Sequence, residues 1–197
     1  MQCGLPNNMQ KTFLLFAMLC VLNGAVSAEE YKAQVKHAEL ALSKNDLVLN
    51  ADLDFHLSPQ ANEALQNGVP LFWNVKMKVQ RMRHFWFDKT LLKRELHYRL
   101  QYHALLKMYR VKNENTGVVN SFSTLAAALN EMATVRDFAL NTFEEFSANE
   151  NYVLVIKVIF EDEKLPLPLQ TQVLANKQWQ LSSDWTNWDL PSFDGQN

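Results

Sequence analysis

The sequence predicts a mostly β, β-rich α+β fold: one antiparallel, sandwich-like domain with two short helices. Three observations carry this. Apolar and polar residues alternate at period two in several separate stretches. Only two stretches have helical spacing, and both are short. No repeat, low-complexity segment or linker interrupts the 197 residues, a length that suits one folded domain.

Residues 1–28 are not fold material. Gln10 and Lys11 precede the apolar run Thr12–Leu22, and small residues follow, with Val26 and Ala28 at the −3 and −1 positions of a cleavage site. The run is shorter than the roughly 20 apolar residues of a spanning helix. It therefore reads as a signal peptide cleaved after Ala28, with Met9 an alternative start. The expectation is an exported, periplasmic domain over residues 29–197. An uncleaved membrane anchor is the other reading of the same run. Both cysteines, Cys3 and Cys20, lie in the removed part, so the mature chain has no thiol for a disulfide, a nucleophile or a metal. No later apolar run is long enough to span a membrane.

The first strand pair is expected at residues 33–43, which alternate weakly, and at "DLVLNADLDFHL". There Leu47, Leu49, Ala51, Leu53, Phe55 and Leu57 share one face, and "KND" is the turn between the two. A helix follows at "SPQANEALQNG": Ser58 suits the cap, Pro59 the first position and Gly68 the left-handed site past the end. "PLFWNVKMKVQRM" resumes strand character. In "LLKRELHYRLQYHALLKMYRV" the even positions Leu92, Leu96, Tyr98, Leu100 and Tyr102 form an apolar face, with Arg94 the exception. The odd positions Lys93, Glu95, His97, Arg99, Gln101 and His103 form a polar one. Parity breaks near Leu105 and Leu106, which predicts a bulge or tight hairpin at 103–107. "NENTG" is a turn. The second helix is expected after Ser123, where Leu125, Ala128, Leu129, Met132 and Val135 or Arg136 fall at helical spacing. "NYVLVIKVIFED" is apolar on both faces, as in a covered strand. "LPLPL" reads as extended, and "QWQLSSDWTNWDL" as a final strand or wrap.

Charge is uneven. Residues 76–112 hold eleven Lys and Arg against Asp88 and Glu95, whereas 29–75 and 113–197 are both acidic. A basic middle between acidic flanks means either an anionic partner or elements that neutralise one another in the fold. The candidate binding residues are Lys93, His97, Arg99 and His103, a basic docking face on one strand.

The catalytic and metal readings are weaker. On a strand His97 and His103 stand roughly 20 Å apart and cannot share one metal, while His37, His56 and His84 lack ligand spacing. No catalytic residue, metal site or cofactor is therefore assigned. Ser182, Ser183 and Asp184 lack the glycines of a nucleophile elbow, and no carboxylate pair stands out. Trp179, Trp185 and Trp188 could stack on a sugar or close a core edge. Nucleic acid is not the expected partner, because Tyr98 and Tyr102 share the leucine face.

"LSPQANEALQNGVPLFW", "FWFD", "YRLQYHALLKMYRV", "SFSTLAAAL" and "WQLSSDWTNWDL", in this order, resemble a family of exported proteobacterial proteins catalogued as a domain of unknown function (number 4390). The resemblance covers roughly residues 35–190. It implies export and a single domain, and brings no activity, cofactor or catalytic residue. The leading functional expectation is a non-enzymatic binding protein that docks on an envelope protein or an anionic envelope surface. An unrecognised envelope-polymer hydrolase and a signal-anchored structural or sensory subunit are the alternatives.

Overall fold

The computed structural model describes residues 31–43, 46–83, 88–142, 150–173 and 176–190. The segment expected as a signal peptide, the Lys44–Asn45 part of the expected "KND" turn, His84 and the Phe85–Phe87 part of "FWFD" lie outside them.

Among the described residues, nine strands form two antiparallel sheets. β1 (Gln34–Ser43), β2 (Asp46–Asp54) and β7 (Thr134–Thr142) make the smaller one, in the order β1-β2-β7. The larger uses β3 (Leu71–Arg81), β4 (Lys89–His103), β5 (Met108–Asn113), β6 (Val119–Phe122), β8 (Tyr152–Phe160) and β9 (Thr186–Asp189). Its order is β6-β5-β4-β3-β8-β9. The period-two pattern decides which face is inside. Leu47, Leu49, Ala51 and Leu53 of β2 are buried in one cluster with Trp73, Val75, Met77 and Val79 of β3 and Leu154, Ile156, Val158 and Phe160 of β8. The two sheets therefore share a core, as in a sandwich. Trp73 anchors it, edge-on to Phe55 at 5.7 Å and tilted against Phe160 at 5.2 Å.

Both expected helices are present. Helix α1 (Pro59–Gln66) starts where Ser58 Oγ accepts from the Ala61 amide at 3.1 Å. Its end is a Schellman turn: Gly68 N–H donates to Leu65, Val69 N–H to Ala64, and Gly68 takes φ +84°. Helix α2 (Leu125–Ala133) is capped by Thr124 rather than Ser123 and buries Ala128 and Met132.

The structure departs from the sequence reading at two places. Helical spacing extends to Val135, but the chain turns extended at Thr134 and enters β7 without a loop, because β2 offers it a pairing edge. A third helix, α3 (Leu167–Val173), occupies part of the proline-rich segment expected to be extended. Pro168 falls in its first turn, where no amide hydrogen is needed, and the Pro166 carbonyl accepts from Leu169 and Gln170.

β4 behaves as its parity predicts. Leu96, Tyr98 and Leu100 are buried, and the strand closes onto β5 through a tight hairpin, with His103 opposite Met108 and Ala104–Lys107 as the loop. Lys107 adopts φ +51° in that loop.

Candidate functional site

Lys93, His97, Arg99 and His103 all stand on the outer face of the larger sheet, opposite the core. The register decides their neighbours. Lys93 lies opposite Lys78, His97 opposite Asn74, Arg99 between Phe72 and Lys112, and His103 opposite Met108. The four do not form one site.

The middle of this face is internally neutralised. His97 Nε2 is 3.4 Å from Glu95 and its Nδ1 is 3.6 Å from the buried Glu161, which also pairs with Lys164 at 2.7 Å. The Arg99 guanidinium sits 3.2 Å from Glu114, whose other oxygen takes Lys112 at 2.6 Å. Asn74 donates its side-chain amide to Glu95 at 2.7 Å. That hydrogen bond, helped by Lys76 and His97 and opposed by partial burial, holds the Glu95 carboxyl below its usual range. Glu114 is lowered in the same sense, first by its bond from Lys112 and then by Arg99. Glu114 and Glu161 come from the acidic third of the sequence. For His97 and Arg99, neutralisation between elements describes the geometry.

The lower end of the face differs. Lys76 is in register with Glu95 on one side and Lys157 on the other, and Lys78 with Lys93 and Val155. Four lysines from three strands thus occupy two adjacent rows. Glu95 answers Lys76 at 3.8 Å. Among the described residues no carboxylate pairs with Lys78, Lys93 or Lys157. Trp185, 42% exposed, lies beside them, with the Lys78 ammonium 4.2 Å and the Lys157 ammonium 5.8 Å from its ring centre. Asp189, at the foot of the same face opposite Val153, is the nearest further acid in the register. A group of cations this close, held on rigid strands, raises the local positive potential and attracts anions.

Sequence reasoning found Lys93, named Trp185 only as part of a tryptophan group, and missed Lys76, Lys78 and Lys157 as site residues. The spacing of "KMK" put both of its lysines on the polar side of β3, which was a usable signal. The register that brings in Lys157 was not legible locally. The three tryptophans do not form a platform. Trp179 is buried and stacks on Phe160 at 6.0 Å, Trp188 meets His37 edge-on at 5.8 Å, and only Trp185 joins the lysines.

The other candidates are structural. Ser183 Oγ accepts from the Val158 amide at 2.8 Å and donates to the Asp184 carbonyl, while Ser182 Oγ accepts from the Phe160 amide at 2.9 Å. These hydroxyls continue the ladder of β8 where strand pairing stops. Among the described residues, no group of three or more His, Cys, Asp or Glu is arranged to hold a metal ion. Among the same residues, no helix is long and apolar enough to cross a membrane.

No curated protein and no solved structure matches the chain. A family model described as a domain of unknown function (DUF4390) matches residues 30–189.

Proposed function

The chain belongs to that family of domains of unknown function, and from this premise we propose that it is an exported, non-enzymatic docking domain of the bacterial envelope. Its partner is an acidic protein surface, and the contact is centred on Lys93 and extends over Lys76, Lys78, Lys157 and Trp185. The signal segment supports export: the charged start, the apolar run and the small residues before Ala28 form one processing unit. The observation that carries the docking reading is the Lys93–Lys78 pair beside Trp185. Like charges directly opposite each other on neighbouring strands destabilise a sheet, so a fold that needed only stability gains nothing from them. One exposed lysine and three half-buried ones around an exposed tryptophan form a positive patch that complements an acidic partner.

His97 and Arg99 are already engaged by carboxylates. They frame the contact and set its upper limit on the sheet, while His103 stands too far along β4 to share it.

The test uses poly-glutamate as an acidic probe and cross-linking in intact envelopes as the native readout. The wild-type protein binds the probe, with affinity falling as salt rises. Lys78→Glu with Lys93→Glu abolishes both this binding and one specific cross-linked band while the protein stays folded, losing no more stability than the Lys78–Trp185 contact supplies. Arg110→Glu, on another row of the sheet, keeps both. Equal binding by the Lys78/Lys93 variant would sink the proposal. The mass of the protein recovered from the envelope tests export separately: loss of residues 1–28 supports cleavage, and their retention supports an anchored form.

A further inference from the structure

The β4–β5 hairpin ends in two adjacent exposed leucines, one of them the most exposed large apolar side chain among the described residues. Leu105 is 92% exposed and Leu106 53% exposed, side by side in the four-residue loop. The hairpin extends past β3 on one side, while β6 flanks β5 as far as Tyr109 on the other. β4 pairs with β3 only as far as Leu100, whereas β4 and β5 continue together to His103 and Met108. The loop is held by the Leu106 amide donating to His103 and the Lys107 amide to Ala104. Its shape is therefore preset.

Three features accompany the leucines. Lys107 sits in the loop itself and Arg110 is exposed just behind it. No acid occurs between Leu96 and Asn113; the hairpin's flanking acids, Glu95 and Glu114, stand at its far end. Behind the tip Tyr102 and Tyr109 pack against each other at 4.9 Å, and the Tyr109 hydroxyl accepts from Gln66. An apolar tip flanked by two exposed cations, which no carboxylate pairs with among the described residues, matches the order of an anionic bilayer interface, from acyl chains to headgroups. A protein partner fits less well, because two leucines cannot supply the roughly 1,000 Å² that a specific protein interface buries.

We infer that the Ala104–Lys107 hairpin tip inserts into the surface of an anionic lipid bilayer. This stands on the hairpin alone and does not depend on the lysine face.

The test is a Leu105→Trp variant of the full chain mixed with phosphatidylcholine vesicles, with and without phosphatidylglycerol. The difference emission against wild type reports the tip, whatever other part of the chain touches the membrane. The expected result is a blue shift that requires phosphatidylglycerol and is quenched by brominated acyl chains. Adding Lys107→Glu and Arg110→Glu lowers the vesicle affinity read from that signal by roughly fivefold per removed cation or more. Adding Leu106→Asp lowers it at least about tenfold, because a carboxylate is expelled from acyl chains. An unshifted, unquenched signal on vesicles that do bind the protein would overturn the inference. Insensitivity to both added changes would overturn it as well. Lys78→Glu with Lys93→Glu leaves the shift in place, which separates this result from failure of the docking face.

Discussion

The Lys78 ammonium rests 4.2 Å from the centre of the Trp185 ring, and the two residues reach each other across the β8–β9 side of the outer sheet face. The ring gives Lys78 a partner that leaves its charge unspent. Trp185→Ala is expected to lower stability by about 0.5–1 kcal/mol, measured as a shift of the urea midpoint at constant slope. Trp185→Phe should retain most of it. No change for Trp185→Ala would mean that the ring adds nothing to the fold.

Trp73 is the largest fully buried side chain among the described residues. It is 1% exposed and meets Phe55 and Phe160 from both sheets' sides of the cluster. Trp73→Ala leaves a cavity between the sheets and should cost about 3–5 kcal/mol. Trp73→Phe should cost clearly less. Urea denaturation of the two variants ranks them, and similar losses would show that the void is filled by relaxation.

Glu95 is held below its usual carboxyl range first by the Asn74 amide and then by Lys76. A depressed folded-state value stabilises the protein above the unfolded carboxyl range, and that contribution is lost as pH falls through the folded value. Asn74→Ala should therefore move the Glu95 titration upward, towards the ordinary 4.5, as read by carboxyl NMR shifts. It should also lower stability near neutral pH and flatten the acid limb of the stability curve, because a Glu95 value closer to the unfolded one leaves less stability to lose as pH falls. An unmoved Glu95 midpoint would assign its depression to the lysine and histidine charges instead.

Tyr98 shows the opposite sign. Burial, reinforced by the Glu131 charge, pushes its phenol up to about 12 from 10.0. The neutral form is the one the fold accepts. Its contribution is complete below 10.0 and disappears as pH rises towards about 12. Tyr98→Phe should flatten the alkaline limb of the stability curve and remove the latest step of the ultraviolet phenolate titration. Persistence of both would point to a different buried tyrosine.

The sequence disclosed most where one strand carried its own contrast. Leu96, Tyr98 and Leu100 against His97 and Arg99 determined the inside of β4, and the parity break at Leu105 located the hairpin. It disclosed least where pairing overrode local preference. Val135 continues the helical spacing of Leu125 and Met132, yet it belongs to β7, because a free edge of β2 recruits the chain at Thr134. The same limit applies to the binding face. Lys93 is visible as a polar residue, but its proximity to Lys78 and Trp185 is a property of register between distant segments. The carboxylates that engage His97 and Arg99 likewise arrive from the start of a turn and the end of β8.

The larger sheet is bounded by β6 and β9, each four residues long. A foreign strand arriving at either border would find only a couple of free ladder bonds before the backbone turns away. Growth of the larger sheet into a neighbour's is thus limited by geometry rather than by covalent cross-links, which a chain with cysteines only at positions 3 and 20 could not form within its sheets. At this sheet, contacts with other molecules fall to side chains rather than to backbone pairing, which keeps them specific and reversible.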